Sequence, residues 1–317
     1  MHILLVHQVF LSANDSGGTR HYEFARHCID AGHRFSVVAS DVNYLTGKPI
    51  DAPQDQAVDA IRIVRAHMPA AIHRSFWHRV VAFITFMFSS ARAALRIKGV
   101  DLVMGTSPPL FQAVSAWFVS AIKRKPLLLE IRDLWPDFAI DMGVLKNPVL
   151  IWVARRLERF LYHRAAHILV NSPAYRDYLL DRHSMADTKI TVIPNGVDPT
   201  MFNPAETGQA VRQEFGLEGK FLVVYAGAIG PANDIATLVR AAERLQDAPD
   251  VHLLLFGDGK DRARVEQLAA KRKLTNITFG GLRPKSQMKQ VLGAADVCVA
   301  TLLSIPMFTT TYPNKIF

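Results

Sequence analysis

The sequence predicts an α/β protein made of two doubly wound domains in series, and three observations carry that prediction. Short apolar runs such as Ile3-Leu4-Leu5-Val6 and Leu127-Leu128-Leu129 read as strands buried on both faces of a parallel sheet. Most of these runs end in Gly, Ser, Pro or Asn and lead into a stretch of helical spacing, the pattern of repeated strand–helix units. The series breaks once, at Pro194-Asn195-Gly196, and resumes at Phe221. With 317 residues the chain is long enough for two domains, read here as 1–195 and 196–317.

Taken in order, Ile3 to Val6 is a first strand, followed by a loop from His7 to Gly18. Asp15-Ser16-Gly17-Gly18 opens a helix from about Thr19 to Ala31, and Phe35 to Ala39 is the second strand. Glycines at a helix start let the backbone approach an anion, although a tight turn with no ligand explains Gly17-Gly18 equally well. The polar stretch from Gly47 to Asp59 reads as a loop, and Ile61 to Ala66 alternates as a strand. A long aromatic-rich helix is expected from about Ser75 to Ile97. Leu102 to Gly105 is a strand ending in Thr106-Ser107-Pro108-Pro109, with a helix from about Leu110 to Ile122. The strand from Leu127 runs straight into Glu130, Arg132 and Asp133 before Pro136 stops it. In open α/β sheets ligands bind beyond the carboxyl ends of strands, so these charges stand where chemistry is expected. A helix from about Pro148 to Ala165 and a strand from His167 to Val170 follow, and Ser172 is placed to cap a helix starting at Pro173. Ile190 to Ile193 is the strand before the hinge.

The stretch from the hinge to about Gly219 is Pro-rich and reads as a linker. Strands are then expected at Phe221–Tyr225, Val251–Phe256, Ile277–Phe279 and Val297–Ala300. Helices fall between them, starting near Asn233-Asp234, Asp261 and Lys285. Four strands make a small second domain, so the chain is expected to be truncated at its C-terminal end.

A net charge of +9 and a pI near 9.7 favour an anionic partner: nucleotide phosphates, a membrane surface or nucleic acid. Between Asp59 and Asp101 there is no acidic residue but seven Lys/Arg. On a helical wheel Arg74, Arg92 and Arg96 fall within about 40° of one another. With Phe76 and Trp77 they outline a helix lying on an anionic membrane, or a core helix with a solvated basic edge. These basic residues carry no RNA- or DNA-binding signature, so no nucleic-acid partner is expected. The lack of GxGxxG followed by an acid about 20 residues on argues against a dehydrogenase. Cys28 and Cys298 show no metal-ligand spacing, so neither a disulfide nor a zinc site is expected. No secretory leader pattern is visible, and no apolar run reaches the roughly 18 residues of a membrane span.

Several strings together resemble one family. They are Gly17-Gly18, Arg132-Asp133-Leu134-Trp135-Pro136, Val192-Ile193-Pro194-Asn195-Gly196-Val197-Asp198, Gly257-Asp258-Gly259 and Tyr312-Pro313-Asn314-Lys315-Ile316-Phe317. On them the chain resembles the retaining, nucleotide-sugar-using glycosyltransferases of family 4, which have the GT-B fold. The Arg-Asp-Leu-Trp-Pro string is similar to the subgroup that builds O-antigen, capsule and exopolysaccharide, including N-acetyl-L-fucosamine transferases.

The resemblance implies two Rossmann-like domains facing a cleft, the first binding acceptor and the second, incomplete here, binding the nucleotide-sugar. It implies transfer from a nucleoside-diphosphate sugar, with UDP the preferred nucleotide, to a lipid-linked or saccharide acceptor at the cytoplasmic face of the membrane. No metal or other cofactor is implied. Arg132 and Asp133 become the catalytic candidates. Gly17, Gly18, Gly227, Gly230, Asn233, Gly257, Asp258, Gly259, Arg283 and Lys315 become donor-binding candidates.

The chain departs from the family's pattern in three places. Ala228 and Asn233 stand where the phosphate loop commonly has Arg and Lys, so the cation is expected from Arg132, Arg283 or backbone dipoles. Arg132 stands where many members have a sugar-contacting His. The family's pair of glutamates would begin after Phe317. Two alternatives stay open: a UDP-sugar 2-epimerase on the same fold, and a non-catalytic fragment that binds a nucleotide or a membrane.

Overall fold

Alternating side chains of each parallel strand feed two separate apolar layers, which is why the runs carry no polar face. Leu4 and Val6 of the first strand enter one layer, and Ile3 and Leu5 enter the other. The computed structural model describes residues 1–316 except 13, 14, 16, 45, 73, 198, 200, 201, 203, 204 and 206, and the side chains of Phe76 and Met307 lie outside it. Of the residues in the sequence motifs, Asp198, Phe317 and the Phe76 side chain therefore lie outside the described part. The chain divides into two units. The first comprises Met1–Phe10, Thr19–Pro194 and Thr309–Tyr312; the second comprises Leu11–Gly18, Asn195–Phe308 and Pro313–Phe317.

The first unit runs β1 (His2–Val6), α1 (Arg20–Asp30), β2 (Arg34–Ser40), β3 (Asp55–Val58), β4 (Ile61–Ala66), α2 (Phe76–Arg96), β5 (Leu102–Ser107) and α3 (Leu110–Lys123). It continues with β6 (Leu127–Ile131), α4 (Asp137–Asp141), α5 (Pro148–Arg164), β7 (His167–Val170), α6 (Pro173–His183) and β8 (Ile190–Val192). Its sheet has the order β3-β4-β2-β1-β5-β6-β7-β8, parallel throughout except for the β3–β4 pair. The order reverses direction between β1 and β5, the switch point at which such sheets open a crevice. Helices α2, α3, α5 and α6 cover one face, and α1 packs on the other.

The second unit runs α7 (Gln209–Phe215), β9 (Phe221–Ala226), α8 (Ile235–Arg244), β10 (Val251–Phe256), α9 (Arg262–Lys271), β11 (Ile277–Gly281), α10 (Met288–Gly293) and β12 (Val297–Cys298). Its parallel sheet has the order β11-β10-β9-β12.

The structure corrects several local expectations. The stretch read as a loop to Asp59 contains β3, which pairs antiparallel with β4. The two-residue turn is Asp59-Ala60, and both have positive φ, 49° and 64°. That is the geometry usually supplied by Asn-Gly or Asp-Gly, so the hairpin lacked its usual sequence signal. The stretch read as a linker contains α7, bounded by Gly208 and Gly216, both left-handed. A Cβ on Gly208 would sit 2.1 Å from the Ala294 nitrogen, so only glycine lets α7 start against α10. Ser172 does not cap α6; its hydroxyl donates to the Thr310 carbonyl oxygen at 2.7 Å. The last strand is two residues long rather than four.

Candidate functional site

In the first unit the polar groups collect at the carboxyl ends of β1, β5, β6 and β7, around the switch point. Glu130 on β6 is buried and accepts hydrogen bonds from Arg20 Nε at 2.8 Å and His21 Nε2 at 2.5 Å. Burial pushes its carboxyl up, but His21, Arg20 and Arg132 outweigh burial and hold it well below the usual carboxylate range. Burial pulls His21 down, against the raising influence of Glu130, and pulls His7 down further. The pair we assign is therefore an ionised Glu130 with charged Arg20, and a neutral His21 donating its Nε2–H. The His7 ring lies 4.0 Å from that of His21, and its Nδ1 is 2.8 Å from Thr106 Oγ1. Arg20 also donates to the carbonyls of Ile193 and Pro194, both at 2.8 Å, and so pins the chain after β8.

The other end of this rim is different in kind. Ser107 Oγ, Arg132 Nε and Asn171 Oδ1 are buried and have no hydrogen-bond partner among the described residues. They stand at the ends of three adjacent strands, β5, β6 and β7. The three are tied together: Arg132 N–H donates to the Ser107 carbonyl at 2.9 Å and the Asn171 side-chain Nδ2 to the Arg132 carbonyl at 3.1 Å. Buried polar atoms without a protein partner at a strand-end crevice can be met by ordered water or by a polar ligand. Asp133 follows directly. Burial pushes its carboxyl up to about 6, against the lowering pull of Arg132.

In the second unit three glycine loops meet at the carboxyl ends of β9, β10 and β11. Gly227 N–H donates to the Phe256 carbonyl at 3.0 Å, Ile229 N–H to Asp258 at 2.9 Å and Gly257 N–H to Gly281 at 2.8 Å. A Cβ on Gly257, which has φ 142°, would lie 1.8 Å from the Gly227 carbonyl oxygen. Glycine is therefore obligatory there for the backbones to touch. Lys315 reaches the first of these loops. Its Nζ donates to Tyr225 Oη at 2.8 Å and to Asn233 Oδ1 at 3.1 Å, and lies 4.2 Å from the Tyr225 ring centroid. A Cβ on Gly227 would be 3.0 Å from that nitrogen. Burial pulls Lys315 down to about 8. Gly18 is beside the neighbouring Asn314, whose Nδ2 would be 3.2 Å from a Cβ there, and Gly17 packs on Leu11.

The structure thus brings Gly227, Asn233 and Lys315 to one place, with Gly257 and Gly259 packed on the same loop and Gly18 beside Asn314. The cation that Asn233 does not supply is held on Asn233 by Lys315, a source the loop's own sequence did not indicate. Arg283 is committed elsewhere: it pairs with Glu214 on α7 and lies 5.5 Å from the Phe256 ring centroid. Gly230 has φ −120° and open space where a Cβ would be, so glycine is not sterically required there. Asp258 is exposed, accepts from Gly259 N–H at 2.8 Å and lies 4.0 Å from Arg262. Arg74, Trp77, Arg92 and Arg96 are all exposed. Sequence reasoning missed Tyr225, Asn171, Arg20 and His21. Tyr225 and Asn171 carry a positional signal as polar residues at strand ends, whereas Arg20 and His21 meet Glu130 only through the fold. Among the described residues no cluster of His, Cys, Asp or Glu could hold a metal ion.

A profile described as glycosyl transferase 4-like domain matches residues 17–196, more than half of the chain. The chain belongs to the glycosyl transferase 4-like family. A second profile, glycosyl transferases group 1, matches residues 209–305. WcaI of Escherichia coli K12, provisionally named as a colanic acid biosynthesis glycosyl transferase, is 24% identical over 202 residues, which are 62% of this chain and 49% of WcaI. A D-inositol 3-phosphate glycosyltransferase of Stackebrandtia nassauensis is 31% identical over 157 residues, 46% of this chain and 34% of that enzyme. The chain therefore spans about half the length of these curated relatives or less.

Among solved structures, sucrose-phosphate synthase of Thermosynechococcus elongatus superposes with a TM-score of 0.71 at 18% identity, covering 94% of this chain and 74% of the other. Anabaena Alr3699/HepE in complex with UDP and glucose gives 0.67 at 18% identity, covering 95% and 74%. The fold of this family member is GT-B.

Proposed function

We propose that this protein is a glycosyltransferase that moves a sugar from a nucleoside diphosphate, UDP in the reading preferred here, to a lipid-linked or saccharide acceptor. The observation that carries the proposal is Lys315 held on Asn233 beside the glycine loop of β9. A cation and a run of small-residue backbone at a strand-to-helix junction suit a diphosphate. As the bond from the anomeric carbon to the diphosphate oxygen breaks, negative charge grows on the leaving group. Lys315 is already in place beside the loop to meet it. Arg132 and Asp133 are proposed to act on the transferred sugar, and the unpaired Ser107, Arg132 and Asn171 atoms to bind substrate hydroxyls. No general base is assigned, and the acceptor hydroxyl's proton is proposed to leave with the diphosphate oxygen. No metal is needed in this scheme, because Lys315 supplies the positive charge.

The UDP preference is supported by the UDP-bound HepE relative, and a role in cell-surface polysaccharide synthesis by the name of WcaI. The N-acetylaminosugar donor, retention of anomeric configuration, and action at the cytoplasmic membrane face rest on the motif resemblance. Both matching profiles are glycosyl transferase profiles, which favours transfer over 2-epimerisation. The test is a panel of UDP-, GDP- and ADP-sugars incubated with polyprenyl-phosphate-linked saccharides, following nucleotide release and the product's anomeric configuration by NMR. Acceptor-dependent UDP release with an axial donor giving an axial product is expected. Nucleotide release from none of the donors, or inversion, would overturn the respective part of the proposal.

A further inference from the structure

The face of the first unit formed by α2, α3 and α5 has an unusual composition that no part of the proposed reaction uses. The three helices are neighbours. Phe83 on α2 and Phe111 on α3 have ring centroids 6.2 Å apart, and Trp117 on α3 meets Phe160 on α5 edge-on at 4.8 Å. Their outward side carries large apolar residues. On α2 these are Trp77, Val81, Ile84 and Phe88, at helical spacing, with Trp77 and Phe88 each 66% exposed. On α5 they include Val149 and Trp152, 65% and 60% exposed. A shallow, mostly apolar groove of about 390 Å³ joins the two patches, running from Trp77 to Val144, Val149 and Leu150. Patches of this kind on a folded unit mark an interaction surface rather than scattered exposure.

The charge on this face is one-sided. Neither α2 nor α3 contains an acidic residue, and the one in α5, Glu158, is buried. Arg92, Arg96, Arg156 and Arg159 are exposed and have no carboxylate partner among the described residues. Arg92 lies within about 90° of the exposed apolar stripe on the α2 wheel, and Arg96 at about that angle. The Arg156 guanidinium sits 5.2 Å from the Trp152 ring centroid, so cation and aromatic are presented together. Unpaired arginines beside exposed tryptophans fit a surface that is apolar below and anionic above. A protein partner would be expected to meet those arginines only with matching carboxylates, whereas an anionic bilayer supplies both components uniformly. Among the described residues no helix is long and apolar enough to cross a membrane, so contact would be from one side.

We infer that the α2–α3–α5 face docks this protein on an anionic lipid bilayer, with Trp77 and Trp152 entering the headgroup region and the unpaired arginines contacting lipid phosphates. The surface is wider than the basic stripe of α2 that the sequence suggests, because α5 contributes half of its aromatic anchors. The inference does not depend on the proposed reaction.

The test uses vesicles of phosphatidylcholine alone and of phosphatidylcholine with about one-third phosphatidylglycerol. Binding of the 317-residue chain is read by co-flotation, and depth by brominated-lipid quenching of tryptophan. The chain has four tryptophans. Trp117 and Trp135 pack against the core and should be spared, so W77F and W152F should each remove about half of the quenching. The expected result is binding to the anionic vesicles that falls at least about tenfold in neutral ones, and at least about tenfold in W77S/W152S. R156E/R159E should lose binding similarly while keeping the circular dichroism melt, since both arginine side chains are exposed. Absence of binding to anionic vesicles, or undiminished binding by W77S/W152S, would overturn the inference. So would a dimer that W77S/W152S converts to a monomer without any vesicle binding, which would assign the face to a second copy of the chain.

Discussion

Replacing Lys315 by methionine removes the cation from the β9 loop while keeping an unbranched apolar stem. Its Nζ has two hydrogen-bond acceptors, Tyr225 Oη and Asn233 Oδ1, within 3.1 Å, and a diphosphate would add a charged acceptor. A hydrogen bond to a charged group is worth about 1.5–3 kcal/mol. Lys315 is half-buried, so solvent screening trims the upper end, and the expected loss of UDP affinity is about 10- to 50-fold. A pH series adds a readout that a packing defect would not mimic. Burial pulls Lys315 down to about 8, so the ammonium is present below that value and lost as pH rises through it. Calorimetric titration of UDP should show wild-type affinity falling by up to about tenfold per pH unit above 8, and K315M should be flat over the same range. Binding by K315M within about twofold of wild type, or a flat wild-type profile from pH 7 to 9, would refute the reasoning.

Three further outcomes follow from the geometry. Asp133→Asn should lower sugar-transfer turnover at least about tenfold and also stabilise the fold near neutral pH. Burial raises the Asp133 carboxyl to about 6, so the folded state binds the extra proton between about 4 and 6; its stability falls with rising pH across that window, and the gain in melting temperature from D133N should vanish near pH 4. Arg20→Leu leaves buried Glu130 without its permanent cation and should destabilise the first unit by about 3–5 kcal/mol in urea unfolding, whereas a loss under about 1 kcal/mol would show that the pair is not needed. Gly257→Ala places a Cβ 1.8 Å from the Gly227 carbonyl oxygen and should abolish UDP binding, a result that retained affinity would contradict.

The fold class was legible because buried parallel strands have few alternatives: Leu4, Val6, Leu127 and Leu129 read as core and are core. The hairpin at Asp59-Ala60 was not legible, because its turn achieves positive φ without glycine in the sequence. Helix α7 was hidden by the surrounding prolines and acids, although Gly208 and Gly216 bracket it. At the candidate site, strand-end position singled out charged and polar residues but could not rank them. Glu130 and Arg132 are two residues apart in the sequence. One is locked by Arg20 and His21 from more than 100 positions away, and the other keeps an unpaired buried nitrogen. Similarly, the glycine loop after β9 looked deprived of a cation because Lys315 is 82 positions from Asn233, a separation that no local pattern spans.

Titrating UDP into the 317-residue chain in a calorimeter, with GDP and NAD as parallel controls, tests most directly whether this is a nucleotide-sugar protein. The account predicts a saturable UDP isotherm with a Kd between about 1 µM and 1 mM and at least about tenfold weaker binding of GDP and NAD. UDP heats no larger than those of NAD would contradict it.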